Sequence, residues 1–105
     1  MSSANISDGV YFIRSRHGVM VHLEGEGKVV GHAQDFTQLD RQLWRVESVP
    51  GQSSFIITNI HTGKVLDLWG GGKDNGTRIV GCGRHGRKNQ QWNIRRGERY
   101  AFDIP

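Results

Sequence analysis

In the run Leu66-Asp67-Leu68-Trp69 an acid and an indole alternate with two leucines. Side chains on an extended strand point to opposite faces in turn, so the leucines are expected to face a core and Asp67 and Trp69 to share the solvent side. A carboxylate that accepts two neighbouring hydroxyls, beside an aromatic face that packs on C–H surface, has the chemistry of saccharide recognition. A few placed polar groups set orientation and an apolar wall supplies contact area. Asp67 has a second reading, a turn carboxylate capping nearby backbone N–H groups, which is common where glycine is dense. Trp69 has one too, as a rim tryptophan covering one end of the fold.

Other reactive side chains are sparse. Cys82 and His85 imitate a thiol–imidazole pair, but a cysteine beside a strand glycine is more often simply packed. The sequence has no Gly-x-Ser-x-Gly elbow and no His-Glu-x-x-His pair. Gly70-Gly71-Gly72-Lys73 lacks the first Gly and the Ser/Thr of a phosphate loop. The chain is therefore read as a non-enzyme. His22 and His32 lack a nearby Cys or spaced carboxylate to complete a metal site, so they are expected to be surface histidines, with no metal and no cofactor.

The elements that must position these residues come from a repeat. Gln42-Leu43-Trp44 and Gln90-Gln91-Trp92 lie 48 residues apart, and each follows an apolar pair ending in Gly, Val29-Val30-Gly31 and Ile79-Val80-Gly81. Upstream, Tyr11-Phe12-Ile13-Arg14-Ser15 answers Phe55-Ile56-Ile57-Thr58-Asn59, and Gly18 to Leu23 answers Gly63 to Leu68. Units of this length bury their apolar faces only against their neighbours. Short segments rich in β-branched and aromatic residues predict strands at 10–14, 19–23, 28–33, 43–49, 54–60, 64–69, 78–82, 92–95 and 100–104. Residues 38–42 and 87–91 are each expected to close as one helical turn. Asp74-Asn75-Gly76, Thr62-Gly63 and Glu24-Gly25-Glu26-Gly27 are turn signals.

Thr62-Gly63-Lys64-Val65-Leu66-Asp67-Leu68, Asp74-Asn75-Gly76-Thr77, Ile79-Val80-Gly81, His85-Gly86 and Asn89-Gln90-Gln91-Trp92 together resemble the ricin B-type β-trefoil lectin family, in particular its fungal-type members. The resemblance runs over about residues 8 to 96. It implies an all-β fold of the β-trefoil type, whose full form has three foils of four strands. Here one domain, 1–105, holds a degenerate first foil at 8–47, a site-bearing second foil at 48–96 and a tail strand at 97–105.

By the same resemblance, Asp67 is the sugar ligand and Asn89 its partner, within a carbohydrate site comprising Asp67, Trp69, Gly70, Cys82, His85 and Asn89. Gln42, Trp44, Gln90 and Trp92 are expected to be structural, the tryptophans in the core and the glutamines on loop backbone. The chain departs from the family at Cys82, which fills the slot of the usual stacking aromatic. Trp69 or His85 then supplies the apolar platform, and His85 is open to being a loop residue only. In the first foil His22, Arg41 and His32 fill the positions of Asp67, Asn89 and the aromatic, so no binding is expected there.

The implied partners are glycans or glycoconjugates. With two foils and one strand the barrel wall is incomplete, and an exposed sheet edge is a liability that pairing relieves, so a homodimer is expected, a compact monomer being the alternative. The net charge of +4 is uneven. Residues 1–47 carry five Lys/Arg against six Asp/Glu, and residues 48–105 carry nine against four. Arg84, Arg87, Lys88, Arg95, Arg96 and Arg99 form a late basic cluster, which gives an alternative reading as a polyanion binder for sulfated glycan or nucleic acid. No stacking aromatics interleave with these arginines, which counts against nucleic acid. A trefoil protease inhibitor is a further alternative. No apolar run is long enough to span a membrane as a helix, so no membrane insertion is expected. Met1-Ser2-Ser3-Ala4-Asn5 has neither a basic end nor an apolar stretch, so no signal peptide is read, and a cytoplasmic location is expected. The single Cys82 closes no internal disulfide, which agrees with a reducing compartment.

Overall fold

The computed structural model describes residues 6–15, 17–71, 77–96 and 100–103. The fold is all-β and of the β-trefoil type. Among the described residues nine strands follow in order: β1 Gly9–Phe12, β2 Met20–Glu24, β3 Lys28–His32, β4 Leu43–Ser48, β5 Phe55–Asn59, β6 Val65–Leu68, β7 Ile79–Cys82, β8 Asn93–Arg96 and β9 Tyr100–Asp103. Each overlaps a predicted segment. The two expected helical turns are a short helix α1, Leu39–Gln42, and a 3-10 turn, Lys88–Gln90. A second 3-10 turn, Trp69–Gly71, continues from β6. The turn expected at Asp74-Asn75-Gly76 and the end of the last predicted strand at Ile104 lie outside the described residues.

The strands form a seven-stranded antiparallel sheet in the order β1-β4-β5-β6-β7-β3-β2, with β8 and β9 as a separate pair. The sheet curls until its ends meet. Residues 13–15 continue from β1 and bond back to β2, with Arg14 bridging Met20 and Val21 N–H donating to the Ile13 carbonyl at 2.8 Å. The β8–β9 pair joins through Trp92, which bridges Phe55 by reciprocal backbone bonds of 2.9 Å.

The core lies inside this curl and comprises Ile13, Leu23, Trp44, Val46, Phe55, Ile57, Leu66, Leu68, Trp92 and Ile94. Alternation explains most of it: along β4, Trp44 and Val46 are buried while Arg45 between them is exposed. Trp44 is wholly buried and donates its indole N–H to the Val21 carbonyl at 2.9 Å. Trp92, 4% exposed, donates likewise to the Leu66 carbonyl at 3.1 Å. A buried indole N–H needs such an acceptor, and each tryptophan takes one from the hairpin of its own half. The β2–β3 and β6–β7 hairpins meet backbone to backbone, where Gly81 N–H donates to the Gly27 carbonyl at 2.8 Å. A Cβ at Gly27 would stand 2.7 Å from the Gly81 oxygen, which accounts for glycine at this seam.

Candidate functional site

β6 places Asp67 beneath the 3-10 turn Lys88–Gln90, and the site is built where these two elements touch. Asp67 Oδ1 accepts from Asn89 Nδ2 at 3.0 Å, and Oδ2 accepts from Gln90 Nε2 at 2.7 Å. The Gln90 amide is itself fixed by backbone. Its Oε1 accepts the N–H groups of His85 and Gly86 at 2.8 and 3.0 Å, and Nε2 also donates to the Gly83 carbonyl at 2.9 Å. Asn89 Nδ2 lies within 3.3 Å of the Leu68 carbonyl as well.

His85 completes the corner. Its Nδ1 accepts the Arg87 N–H at 3.0 Å, so when neutral the ring carries its proton on Nε2, which lies 3.7 Å from Asp67 Oδ2. Trp69 stands at the rim, 63% exposed, in the 3-10 turn that includes Gly70 and packs against the Asn89 turn. Cys82 pairs with Val65 across β6–β7. Burial first, and the Asp67 carboxylate second, push its thiol pKa up, opposite to what a nucleophilic thiol requires. The structure thus brings together Asp67, Asn89, His85 and Trp69, with Cys82 on the neighbouring strand.

The expected facing of Asp67 requires correction. Asp67 does not share an open face with Trp69: it is 4% exposed, and all of β6 is buried. Alternation predicts exposure only when one face of a strand meets water, and here the Lys88–Gln90 turn covers that face. Nor, among the described residues, does Asp67 cap turn backbone: the bonds described to its carboxylate come from side-chain amides. A carboxylate oxygen can accept two hydrogen bonds, and each Asp67 oxygen takes one of those described here, so acceptor capacity remains on the carboxylate, whose nearest exposed neighbour is the His85 ring, 3.7 Å from Oδ2.

The expectation of surface histidines is also overturned for His22. It is 3% exposed, and its ring stacks on His32 with centroids 4.5 Å apart. Sequence reasoning missed this pair as a unit, although aligning the repeat had placed His22 opposite Asp67 and Gln42 opposite Gln90. Arg41, opposite Asn89, donates to the Leu23 and Gly25 carbonyls at 3.0 and 3.2 Å, so it braces the β2–β3 turn.

A groove of about 940 Å³ lies away from the Asp67 corner, between the β2–β3 hairpin and β7, and is lined in part by Val19, Val21, Val29, Val30, Ile79 and Val80. No residue of the Asp67 corner lines it. Among the described residues no group of three or more His, Cys, Asp or Glu is arranged to hold a metal ion, and no helix is long and apolar enough to cross a membrane.

The curled sheet and the repeated tryptophan anchors define a domain of the β-trefoil type. The family model for the ricin-type beta-trefoil lectin domain-like family matches residues 3–82 and 40–104, and the chain belongs to that family. Among solved structures it is similar to the designed three-fold symmetric protein ThreeFoil, with a TM-score of 0.73 and 27% identity over 83% of this chain and 64% of that one. It is also similar to the Polyporus squamosus lectin bound to the human-type influenza-binding epitope Neu5Aca2-6Galb1-4GlcNAc, with a TM-score of 0.79 and 25% identity over 90% of this chain and 35% of that one. The chain thus spans less than two thirds of the length of either. A search of curated proteins gave no match.

Proposed function

We propose that the protein binds glycans without catalysis, through the corner formed by Asp67, Asn89, His85 and Trp69. The observation that carries this reading is the convergence of an ionisable acceptor, held by two amides, with an imidazole N–H and an exposed indole. A sugar hydroxyl donates to the spare capacity of Asp67, a neighbouring hydroxyl oxygen accepts from His85 Nε2, and the C–H face of the ring packs on Trp69 in place of the aromatic that Cys82 does not provide. Family membership supports the ligand class. The raised thiol pKa of Cys82 counts against that cysteine as a nucleophile.

We further propose that the protein acts as a homodimer. Among the described residues, the segment Gly9–Phe12 takes ladder bonds from β4 alone and β9 from β8 alone, while Val10 and Phe12 are 43% and 41% exposed. A second copy covering these edges satisfies backbone donors and acceptors and removes apolar surface from water. Two sites held in one particle gain avidity for multivalent glycans.

The alternative is polyanion binding. Arg84, Arg87 and Lys88 are exposed next to the corner, although Arg84 is engaged by Glu47 at 3.3 Å. A glycan array read at moderate and high salt separates the two. Retention of neutral glycans at high salt supports the lectin, whereas capture of sulfated glycans or nucleic acid only at low salt rejects it, because phosphate and sulfate contacts weaken steeply with salt.

A further inference from the structure

The corner around Gln42 has the architecture of the Asp67 corner, but an imidazole in place of the acid. Backbone fixes the Gln42 amide: Oε1 accepts the Asp35 N–H at 3.0 Å, and Nε2 donates to the Ala33 carbonyl at 2.9 Å. The second hydrogen of Nε2 is directed at His22 Nδ1, 3.1 Å away. His32 Nδ1 lies 2.6 Å from the Ala33 carbonyl, which makes it a donor and leaves His22 to accept from Gln42. His22 is therefore neutral, with its proton on Nε2. The charged and titratable groups around it are His32 on β3, Arg41 on α1, Glu24 at the end of β2 and Asp35 in the turn after β3.

We propose that His22 and Gln42 form an acid-sensitive fastening, in which protonation of His22 at Nδ1 expels the Gln42 amide and releases the segment 33–38 from β2. A proton on Nδ1 sets donor against donor. Gln42 has no way to answer by rotating its amide, since that would turn its NH2 toward the Asp35 N–H and its oxygen toward the Ala33 carbonyl. The three bonds therefore fail together. Burial, first, and then His32 and Arg41 hold the ring's pKa below its ordinary value, Glu24 and Asp35 opposing them.

In the opened segment the ring returns toward the ordinary histidine value of about 6.5. The closed form binds fewer protons, so it is fully favoured above that value and loses stability as pH falls toward the lower closed-state value. Between the two, the open population rises about tenfold per pH unit.

The test follows the Asp35 amide by hydrogen exchange and the His22 ring by NMR in the intact protein from pH 8 to 5. Expected are a His22 midpoint below that of an unstructured histidine peptide and, after correction for intrinsic exchange, opening of the Asp35 amide that rises about tenfold per pH unit from about 6.5 down to that midpoint and levels off below it. Asp35 protection that stays constant while His22 titrates would overturn the proposal. The variant His22→Asp, which rebuilds the Asp67–Gln90 pairing, should abolish the dependence above pH 5; persistence of the same dependence in that variant also refutes it. Should His22→Asp not fold, the coincidence of ring titration and amide opening in the parent still decides.

Discussion

Gln90 Nε2 donates to Asp67 Oδ2 at 2.7 Å, so the glutamine of the second Gln-x-Trp triplet and the proposed sugar ligand are one hydrogen-bonded unit. Framework and site share an atom pair. Substitutions at Asp67 are therefore expected to act on stability as well as on the proposed binding, and the two effects have to be read apart.

Replacing Asp67 with Ala should remove glycan binding and also destabilise the domain, since Gln90 Nε2 and Asn89 Nδ2 each lose a partner. An unsatisfied buried donor costs about 1 to 3 kcal/mol. Trp69→Ala should weaken binding while leaving the denaturation midpoint close to that of the parent, because the indole is largely exposed. Calorimetric titration beside chemical denaturation checks both, and unchanged affinity in a folded Asp67→Ala protein would reject the assigned site.

Trp92 closes the core and holds the Leu66 carbonyl at 3.1 Å. Its truncation to Ala should cost about 3 to 5 kcal/mol, a large part of a small domain's stability. A denaturation curve matching the parent would show that this tryptophan is not an anchor.

At the seam between hairpins, Gly27→Ala would drive a methyl to 2.7 Å from the Gly81 oxygen, a backbone atom that has no rotamer to escape into. A loss of about 1 to 3 kcal/mol is expected. Gly83→Ala, where a Cβ meets nothing within 4 Å, should stay within about 0.5 kcal/mol of the parent. Equal melting of the two variants would mean that the seam does not hold the hairpins.

The proposed dimer should be sensitive to charge on the β1 edge. Val10→Lys, at a position 43% exposed, should shift light scattering from dimer toward monomer and reduce glycan crosslinking, while monosaccharide affinity per site stays the same. A parent protein that remains monodisperse and monomeric at high micromolar concentration rejects the assembly.

Strands were legible because each is a short alternating segment between glycine-rich turns, and the repeated Gln-x-Trp spacing put Trp44 and Trp92 in equivalent places. The burial of Asp67 was not legible. It depends on a turn more than twenty residues away folding over β6, and local alternation carries no trace of that cover. The His22–Gln42 pairing was hidden for a related reason: neither residue type announces burial alone, and only the match of His22 to Asp67 marks the two glutamines as holding equivalent partners.

That equivalence has a genetic consequence. Histidine and aspartate codons differ by a single nucleotide, and the glutamine donor meets a histidine at one corner and an aspartate at the other. A single-nucleotide change thus converts the codon at either corner to that of its counterpart, so duplicated units of this kind are one mutation away from exchanging the proposed ligand acid for the proposed proton-sensitive ring.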